Sequence, residues 1–251
     1  MLSKEKTWEK LLATGKVHGT MPSGLWDFSG LDLTGADLIE TDLRGVIFRG
    51  ANLTGAALIK AYPIGADFRK ATLRKAILTE AKCMTAIFDE ADMSEAMVNS
   101  AELSAASLVH ANITKANLRN TFFTTANLEG AILTGADLTM VQFSAANLSG
   151  ADLSEVNLNG ADFNGARLVK TNMERATLTE ADFNYADLSG ANLNNANLQG
   201  SKLENANLRE TRNLTIQQLS QTATLLDAKI DPVLIEQLQT EYPHLFINPE
   251  G

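Results

Sequence analysis

The side chains best suited to chemistry in this chain of 251 residues are a single cysteine and three histidines. A thiolate at Cys83 would be a nucleophile, and clustered histidines would bind a metal ion. However, Cys83 stands at a position that the repeat described below turns inward, which predicts a small core residue and leaves a reactive thiol as the alternative. His18, His110 and His244 are far apart, and no pair has the spacing of metal ligands. A single cysteine also excludes an intramolecular disulfide.

Sequence motifs of catalysis are also lacking. The chain has no P-loop and no GxGxxG dinucleotide motif. Ser and Asp are abundant but belong to the repeat, so a Ser-His-Asp set would have to arise by accident. Sequons for N-glycosylation begin at Asn52, Asn112, Asn147 and Asn213, but the repeat itself generates such matches and no secretion signal accompanies them. We therefore predict a protein that is not an enzyme and that has no catalytic residue, no cofactor and no metal site.

A period of five residues dominates the sequence instead. From Phe28 to Leu208, 36 of the 37 positions spaced by five are apolar, and the exception is Pro63. From Leu38 on, a small residue lies two positions before each of them, and 28 of these 35 small residues are alanine. A fixed short period over most of a chain indicates a solenoid, in which each turn buries its apolar side against its neighbours.

The block from Ala151 to Glu155 shows how one repeat is built. Ala151 and Leu153 alternate along a short extended piece, so both point inward, whereas Asp152 points out. Ser154 and Glu155 form the corner, where the turn-favouring residues Asn, Asp, Ser, Thr and Gly recur. A chain with this pattern must turn regularly around an axis, with alanine allowing close approach and leucine or phenylalanine filling the interior.

Eight of the ten phenylalanines indicate how many sides each turn has. Within each of two series the spacing is twenty residues, or four pentapeptides: Phe28, Phe48, Phe68 and Phe88, then Phe123, Phe143, Phe163 and Phe183. A four-sided turn stacks each series as a ladder on one side, and the two ladders fall on adjacent sides. A three-sided turn would scatter them. The spacing therefore predicts an all-β solenoid with four pentapeptides per turn.

The motif resembles that of the pentapeptide-repeat family, whose consensus is close to A(D/N)LxG. Matching stretches are LTGADL at 33–38, LSGADL at 148–153 and LSGANL at 188–193. The resemblance covers about three quarters of the chain. It implies a right-handed quadrilateral β-helix, and the 37 repeats would make about nine turns. At about 4.8 Å per turn the rod would be roughly 45 Å long.

Non-repeat sequence at both ends is expected to cover the terminal turns, whose unpaired backbone would otherwise promote aggregation. We assign residues 1–22 to an N-terminal helical cap and link, 23–212 to the β-helix and 213–251 to a C-terminal helical segment. The N-terminal helix is predicted at 3–14.

Two helices are predicted in the C-terminal segment. Thr215 is expected to cap a short one, and Asp231-Pro232 to begin a longer one that ends at Tyr242-Pro243. This tail resembles, more weakly than the repeat does, the helical end segment of cyanobacterial pentapeptide-repeat proteins. The sequence leaves open whether the apolar face of the longer helix caps the rod or joins two copies; that face comprises Leu234, Ile235 and Leu238.

Charge is distributed unevenly along the chain, whose formal net charge is −9. Residues 41–86, the basic collar, carry eight basic and three acidic residues, whereas residues 87–190, the acidic shaft, carry five basic and fourteen acidic ones. A solvated surface that keeps the protein soluble is one explanation. The chain has no apolar run long enough to span a bilayer, and the N-terminal MLSKEKTWEK lacks the apolar stretch of a signal peptide. We expect a soluble, cytoplasmic protein.

Outward positions that are apolar instead of polar gather on two adjacent sides of the N-terminal half when the chain is folded at twenty residues per turn. These residues form the candidate partner-binding patch: Ile39, Ile59, Tyr62, Ile64, Ile77, Met84 and Met97. Arg44, Lys60 and Lys82 lie beside them. A contiguous apolar patch is typical of a contact surface. Alternatively, the isoleucines simply favour strands, or the N-terminal helix covers them. Outward apolar residues of the C-terminal half, such as Ile132 and Val169, are scattered.

The sequence therefore predicts a non-enzymatic protein–protein interaction module, a rigid rod that presents columns of side chains to an unidentified protein partner. The resemblance implies an alternative, because some members of the family bind type II topoisomerases as mimics of DNA, and the acidic shaft fits that role. The basic collar does not, since it would repel the lysines and arginines that bind DNA. We expect no direct nucleic-acid binding, no membrane association, and either a monomer or a dimer joined at the C-terminal ends. A purely structural role is a third possibility.

Overall fold

The computed structural model describes residues 19–20 and 26–247. The helix predicted at 3–14, and most of the segment assigned to 1–22, lie outside the described residues. Strand β1 (Gly19–Thr20) pairs in parallel with β2 (Thr41–Asp42). Residues 19–20 therefore lie alongside the first turn of the coil.

Single parallel bridges connect successive turns of the coil. The second residue of each pentapeptide pairs with the residue twenty positions later, from Asp27–Ile47 to Asn192–Arg212, with one exception described below. The extended pieces are short because a corner interrupts the chain every five residues. The twenty-residue turn that the phenylalanines predicted is therefore observed. We label the four sides of the coil by the pentapeptides of one turn: A (46–50), B (51–55), C (56–60) and D (61–65). Pentapeptides that lie a multiple of twenty residues before or after one of these belong to the same side.

The first and third residues of the pentapeptide point into the coil. The third-position residues from Phe28 to Leu208 are all buried, as the period predicts. Threonine at a first position keeps its hydroxyl satisfied. Thr121 Oγ1, for example, donates to the carbonyl of Val98 at 3.0 Å. Threonine can therefore replace alanine without leaving a buried hydroxyl unpaired.

Every corner has the same backbone conformation. The fifth residue of each repeat from position 30 to position 210 has a positive φ, between 53° and 69°, and only thirteen of these 37 residues are glycine. The turn is closed by the next repeat, as where the Ala36 N–H donates to the Leu33 carbonyl at 3.0 Å. A left-handed residue other than glycine costs about 1–2 kcal/mol. The turn hydrogen bond and the buried side chains on either side of the corner offset that cost.

Both phenylalanine ladders are present. Neighbouring ring centroids are 4.7–5.5 Å apart between Phe28 and Phe88, and 4.8–5.3 Å apart between Phe123 and Phe183. The first ladder lies on side A and the second on side D. Each successive twenty-residue turn from 26 to 185 thus contains one inward phenylalanine. One ring per turn fills the interior at a constant volume, which is what close packing requires.

Pro63 interrupts the hydrogen-bond ladder on side D. Proline has no N–H, so the Lys82 carbonyl lacks the donor that third-position residues supply elsewhere. Within the described residues, Tyr62 and Lys82 accordingly form no bridge, although the Lys82 N–H still donates to the Ala61 carbonyl at 2.9 Å. The Pro63 side chain nevertheless occupies its inward position and is buried.

The coil continues beyond residue 212. Helix α1 (Ile216–Leu219), with Thr215 as its N-cap, replaces side C of the last turn. The bridges Lys202–Thr224 and Asn207–Lys229 then span 22 residues instead of twenty.

Two further pentapeptides follow this shift, beginning at Ala223 and Ala228, and their third residues Leu225 and Ile230 are buried. The prediction that 213–251 is a helical segment is therefore wrong for these residues. The helix and its flanks use two more residues than a repeat, which moves the later repeats out of the register of five.

Helix α2 (Pro232–Glu241) closes the C-terminal end and begins at Asp231-Pro232 as predicted. The Asp231 carboxylate accepts a hydrogen bond from the Glu210 N–H at 3.0 Å. It thereby supplies an acceptor for the backbone N–H at the corner that Glu210 forms. A 3₁₀-helix (Pro243–Phe246) follows. No helix in the described ranges is long and apolar enough to cross a bilayer.

The apolar face of α2 packs against the coil of its own chain. Leu238 is fully buried, and Leu234 and Ile235 are partly buried against the core. This face of α2 therefore covers the end of the coil in its own chain.

Candidate interaction surface

The candidate nucleophile lies in the core. Cys83 is buried, and burial raises the pKa of its thiol to about 12. Since the thiolate is the reactive form, Cys83 acts as a core residue. His110 packs over Gly130 at a corner, His244 lies in the 3₁₀-helix, and His18 lies outside the described residues. In the part of the chain that the structure describes, no three His, Cys, Asp or Glu residues are grouped to hold a metal ion.

A shallow cavity of about 460 Å³ lies at the C-terminal end, between the last turn and α1. Its lining consists of Asn, Gln, Thr and Ala side chains and contains no titratable group. One of them, Gln218, donates through Nε2 to the carbonyls of Leu193 and Ala196 at 2.8 and 2.9 Å. These bonds fasten α1 to the edge of the coil. The lining therefore offers neither an acid nor a base.

The structure brings the seven predicted patch residues together in columns on sides C and D. Ala57, Ile77 and Met97 follow one another through parallel bridges. The stacked pairs Ile39–Ile59 and Ile64–Met84 lie one turn apart, as shown by hydrogen bonds of 2.9 and 3.0 Å from the N–H after the first member to the carbonyl of the second.

Exposure divides the patch residues into two groups. Tyr62 and Met97 are each 45% exposed. The other members are half-buried: Ile39, Ile59, Ile64, Ile77 and Met84. Half-buried side chains of this size still present an apolar surface, and their neighbours in the columns hold them in place. The patch is therefore an ordered apolar surface from which two large side chains project.

The C-terminal half also exposes large apolar side chains, of which only Ile132 was named from the sequence. Four of them are 42–61% exposed, compared with 45% for Tyr62 and Met97: Phe122, Ile132, Met140 and Tyr185. Their outward positions in the repeat could have identified them. They are distributed over sides B, C and D, so only the N-terminal half has the stacked arrangement.

The fold divides the basic collar between opposite sides of the coil. Five of its eight basic residues lie on sides A and B, away from the patch, and each is ion-paired: Arg49 and Arg69 with Asp67, Lys70 with Glu90, Arg74 with Asp92, and Lys75 with Glu95. Stacking places residues about twenty apart side by side, so Arg49, Lys70, Arg74 and Lys75 meet acids of the next turn, whereas Arg69 pairs with Asp67 of its own repeat. The ring of positive charge expected from the sequence is therefore not formed.

Asp67 is the most strongly held of these acids. Its side chain is 11% exposed, and hydrogen bonds from Arg69, then from Arg49, lower its pKa from 3.8 to about 2. Beside the patch, Arg44 pairs with Asp42 at 2.5 Å, and Lys60 with Glu80 at 3.7 Å.

Models of known protein families match most of the coil. Residues 136–212 match a model described as a pentapeptide repeat region. A second model, of pentapeptide repeats in eight copies, matches the overlapping stretches 27–62, 47–82, 66–104, 86–124 and 106–141. A comparison with curated proteins found no match.

Several solved structures are similar to this chain. HetL, a pentapeptide repeat protein involved in heterocyst differentiation regulation from the cyanobacterium Nostoc sp. Strain PCC 7120, is 31% identical over 80% of this chain and 96% of its own, with a TM-score of 0.48. Rfr23, a pentapeptide repeat protein from the cyanobacterium Cyanothece 51142, is 26% identical over 48% of this chain and 64% of its own, with a TM-score of 0.31. QnrB1, a plasmid-mediated fluoroquinolone resistance protein, is 18% identical over 74% of this chain and 96% of its own, with a TM-score of 0.46.

Proposed function

Because this chain belongs to the pentapeptide-repeat family, we propose that it is a non-enzymatic protein-binding module whose contact surface is the apolar patch on sides C and D. The module is a right-handed quadrilateral β-helix of about nine turns, with the hand taken from the family. Its partner is a protein, and the chain acts as a monomer. Neither nucleic acid nor membrane is its target.

One observation carries this proposal, namely the stacking of apolar side chains at outward positions. Outward columns lie outside the inward-facing core, so the core does not require apolar residues there. Exposed apolar residues that occur singly need no explanation, but stacked columns on two adjacent sides form a contiguous surface. Tyr62 and Met97 project from it and supply the large side chains that commonly anchor protein interfaces.

The regular backbone supports a binding role. Each turn is hydrogen-bonded to the next on all four sides, so the outward columns keep a fixed spacing of about 4.8 Å. A surface that is already ordered loses little conformational entropy when a partner binds. The same regularity leaves few concave sites in which catalytic groups can converge.

Mimicry of DNA towards a type II topoisomerase is the alternative that the acidic shaft favours. The shaft spreads its acidic residues over all four sides of the coil. Six of the fourteen are ion-paired: Glu90, Asp92, Glu95, Asp137, Glu155 and Glu174. This pairing reduces the free negative charge that a mimic would present. We therefore expect no inhibition of gyrase supercoiling at low micromolar protein, and inhibition at that concentration would reverse the order of the two functions.

Capture of partners from a lysate of the native host tests the proposed surface. The double variant Ile59→Asp with Met84→Asp places two charges in the patch without touching the core. It should remain folded by circular dichroism and lose the captured partner. The matched control is Ile132→Asp with Val169→Asp, which changes two outward residues of the C-terminal half and should retain capture. If the patch variant still captures the same partner at wild-type affinity, the patch is not the site.

A further inference from the structure

Lys82 differs from every other basic residue of the collar. The other seven are ion-paired: Arg44, Arg49, Lys60, Arg69, Lys70, Arg74 and Lys75. Lys82 is exposed and, within residues 26–247, has no acidic side chain in ion-pair contact. It lies on side D, as do the apolar residues Tyr62, Ile64 and Met84.

The nearest acid in the column is Glu102. Lys82 is bridged to Glu102, one turn later. The Glu102 carboxylate accepts a hydrogen bond from the Ser104 hydroxyl at 2.5 Å, and Glu102 forms no ion pair in the described ranges. On the preceding turn the column holds Tyr62, which lies beside Lys82 because the Lys82 N–H donates to the Ala61 carbonyl. Lys82 therefore stands between Tyr62 and Glu102 in its column, and within residues 26–247 it forms no ion pair with Glu102.

An unpaired cation within an apolar contact surface limits what can bind there. A partner that covers Ile64 and Met84 also removes water from Lys82. Burying an ammonium group without a counter-ion is costly, whereas a carboxylate placed against it restores the lost interactions. Such a charge contributes more to the choice of partner than to raw affinity.

From this arrangement, and resting on the proposed function, we infer that the partner contributes a segment with an Asp or Glu carboxylate flanked by apolar side chains. The carboxylate pairs with Lys82, and the apolar side chains cover Tyr62, Ile64 and Met84. The ion-paired lysines of the collar need no such counter-ion, since acids of the next turn already supply it. Lys82 is thus the specificity-determining residue of the surface.

A random-peptide display selection on the immobilised full-length protein tests this inference. Peptides selected by the wild type should be enriched in an acidic residue flanked by apolar ones. Synthetic copies should bind Lys82→Glu at least about tenfold more weakly, because like charges would then meet in the contact. Lys82→Met, which keeps the length but removes the charge, should also bind more weakly and should lose the salt dependence of the wild type. Lys82→Glu used as bait should select peptides centred on Lys or Arg.

Two further variants separate this inference from the proposed function. Lys70→Glu, on side A outside the patch, should bind the selected peptides within about twofold of the wild type. Ile59→Asp with Met84→Asp should not bind them. If the peptides require Ile59 and Met84 but bind Lys82→Glu as well as the wild type, the carboxylate assignment is wrong and the proposed function stands. If they bind the Ile59 and Met84 variant undiminished, the proposed function fails as well. A wild-type selection without acidic enrichment, or concentration-dependent self-association through this surface, would also overturn the inference.

Discussion

Side chains connect successive turns by two kinds of contact, whose frequency differs between the two halves of the coil. Within the described residues, the C-terminal half has one ion pair between corner residues, Glu155–Arg175, whereas the N-terminal half has three. In the N-terminal half, ion pairs join corner residues one turn apart at N–O distances of 3.5–3.7 Å: Lys60–Glu80, Lys70–Glu90 and Lys75–Glu95. In the C-terminal half, neutral amides form ladders. One ladder runs through Asp152, Asn172, Asn192 and Asn213, with each Asn Nδ2 donating to the preceding side-chain oxygen at 2.9–3.1 Å.

Both kinds of side-chain contact occur on the same hydrogen-bonded backbone and around the same type of apolar core. The corner charges are about half exposed or more, so salt screens them and each contributes little to stability. The amide ladders are partly buried and carry no net charge between Asn residues, so salt leaves them unchanged. The outward columns can therefore diverge between the halves without altering the fold. That freedom is what allows one half to acquire an apolar patch.

Truncating the core should be equally damaging in both halves. Leu58 and Leu138 are fully buried in the same column of side C. Leu58→Ala and Leu138→Ala should each lower the free energy of unfolding by about 2–5 kcal/mol, measured by urea denaturation. Asp137→Ala changes the outward neighbour of Leu138 and should cost less than about 1 kcal/mol.

Either of two results would contradict these expectations about the core. Equal destabilisation by Asp137→Ala and Leu138→Ala would show that the inward and outward assignment is wrong. A clear difference between the two leucine variants would show that the halves have unequal cores.

Lowering the pH should weaken the contact of Asp67 with Arg69 and Arg49, which lies in the N-terminal half. The pKa of Asp67 is held at about 2, below its ordinary 3.8, by Arg69 and Arg49. Because the folded-state pKa is the lower one, the stabilisation is complete above about pH 4 and is lost as the pH falls towards 2. We expect about 1–2 kcal/mol, reduced by the exposure of both arginines.

The pH dependence of thermal unfolding checks this expectation. Asp67→Asn keeps an oxygen that can accept the Arg69 N–H but has no charge to lose. The wild type should therefore lose more stability than Asp67→Asn between about pH 4 and pH 2. Parallel curves for the two proteins would exclude Asp67 as the source.

Restoring the missing ladder bond should stabilise the N-terminal half. Pro63→Leu supplies an N–H for the Lys82 carbonyl and returns the usual residue to a buried position. We expect a gain of about 1 kcal/mol in the free energy of unfolding. Pro63→Ala supplies the N–H alone and separates the hydrogen bond from the side-chain packing. Destabilisation by both variants would mean that the chain at this point requires the φ angle of proline.

The smallest effects are expected for variants that remove one contact of each kind, an ion pair or an amide, between successive turns. Lys70→Ala should cost about 0.5 kcal/mol or less at low salt, and this cost should disappear at high salt. Asn192→Ala removes the neutral middle of an amide ladder, between Asn172 and Asn213, and should cost about 1 kcal/mol at both salt concentrations. A salt-dependent cost for Asn192→Ala would contradict the distinction drawn between the two kinds of contact.

Much of this architecture could be predicted from individual residues. Phenylalanines spaced by twenty predicted both ladders, and the alternation of Ala151 and Leu153 predicted which side chains face inward. Thr215 and Asp231-Pro232 predicted the starts of α1 and α2. These features depend on local pattern and on identical turns repeated along the chain, both of which are visible in a sequence.

Other features were missed because they arise from one turn acting on the next. The repeats at Ala223 and Ala228 were overlooked because α1 shifts the register by two residues. The collar appeared as free positive charge because the sequence does not show that Lys70 lies against Glu90. The same holds for Lys82, which forms no ion pair with Glu102 in the described residues although the two are bridged.

The solenoid follows from the sequence alone, because a strict period leaves each apolar side chain a single way to be buried. Which outward side chains are paired, half-buried or exposed follows from the folded arrangement of the turns. Those properties depend on neighbours twenty residues away in sequence and about 4.8 Å away in space. For Lys82 the fold leaves an exposed cation without an ion pair in the described residues, beside the apolar patch from which the binding role is proposed.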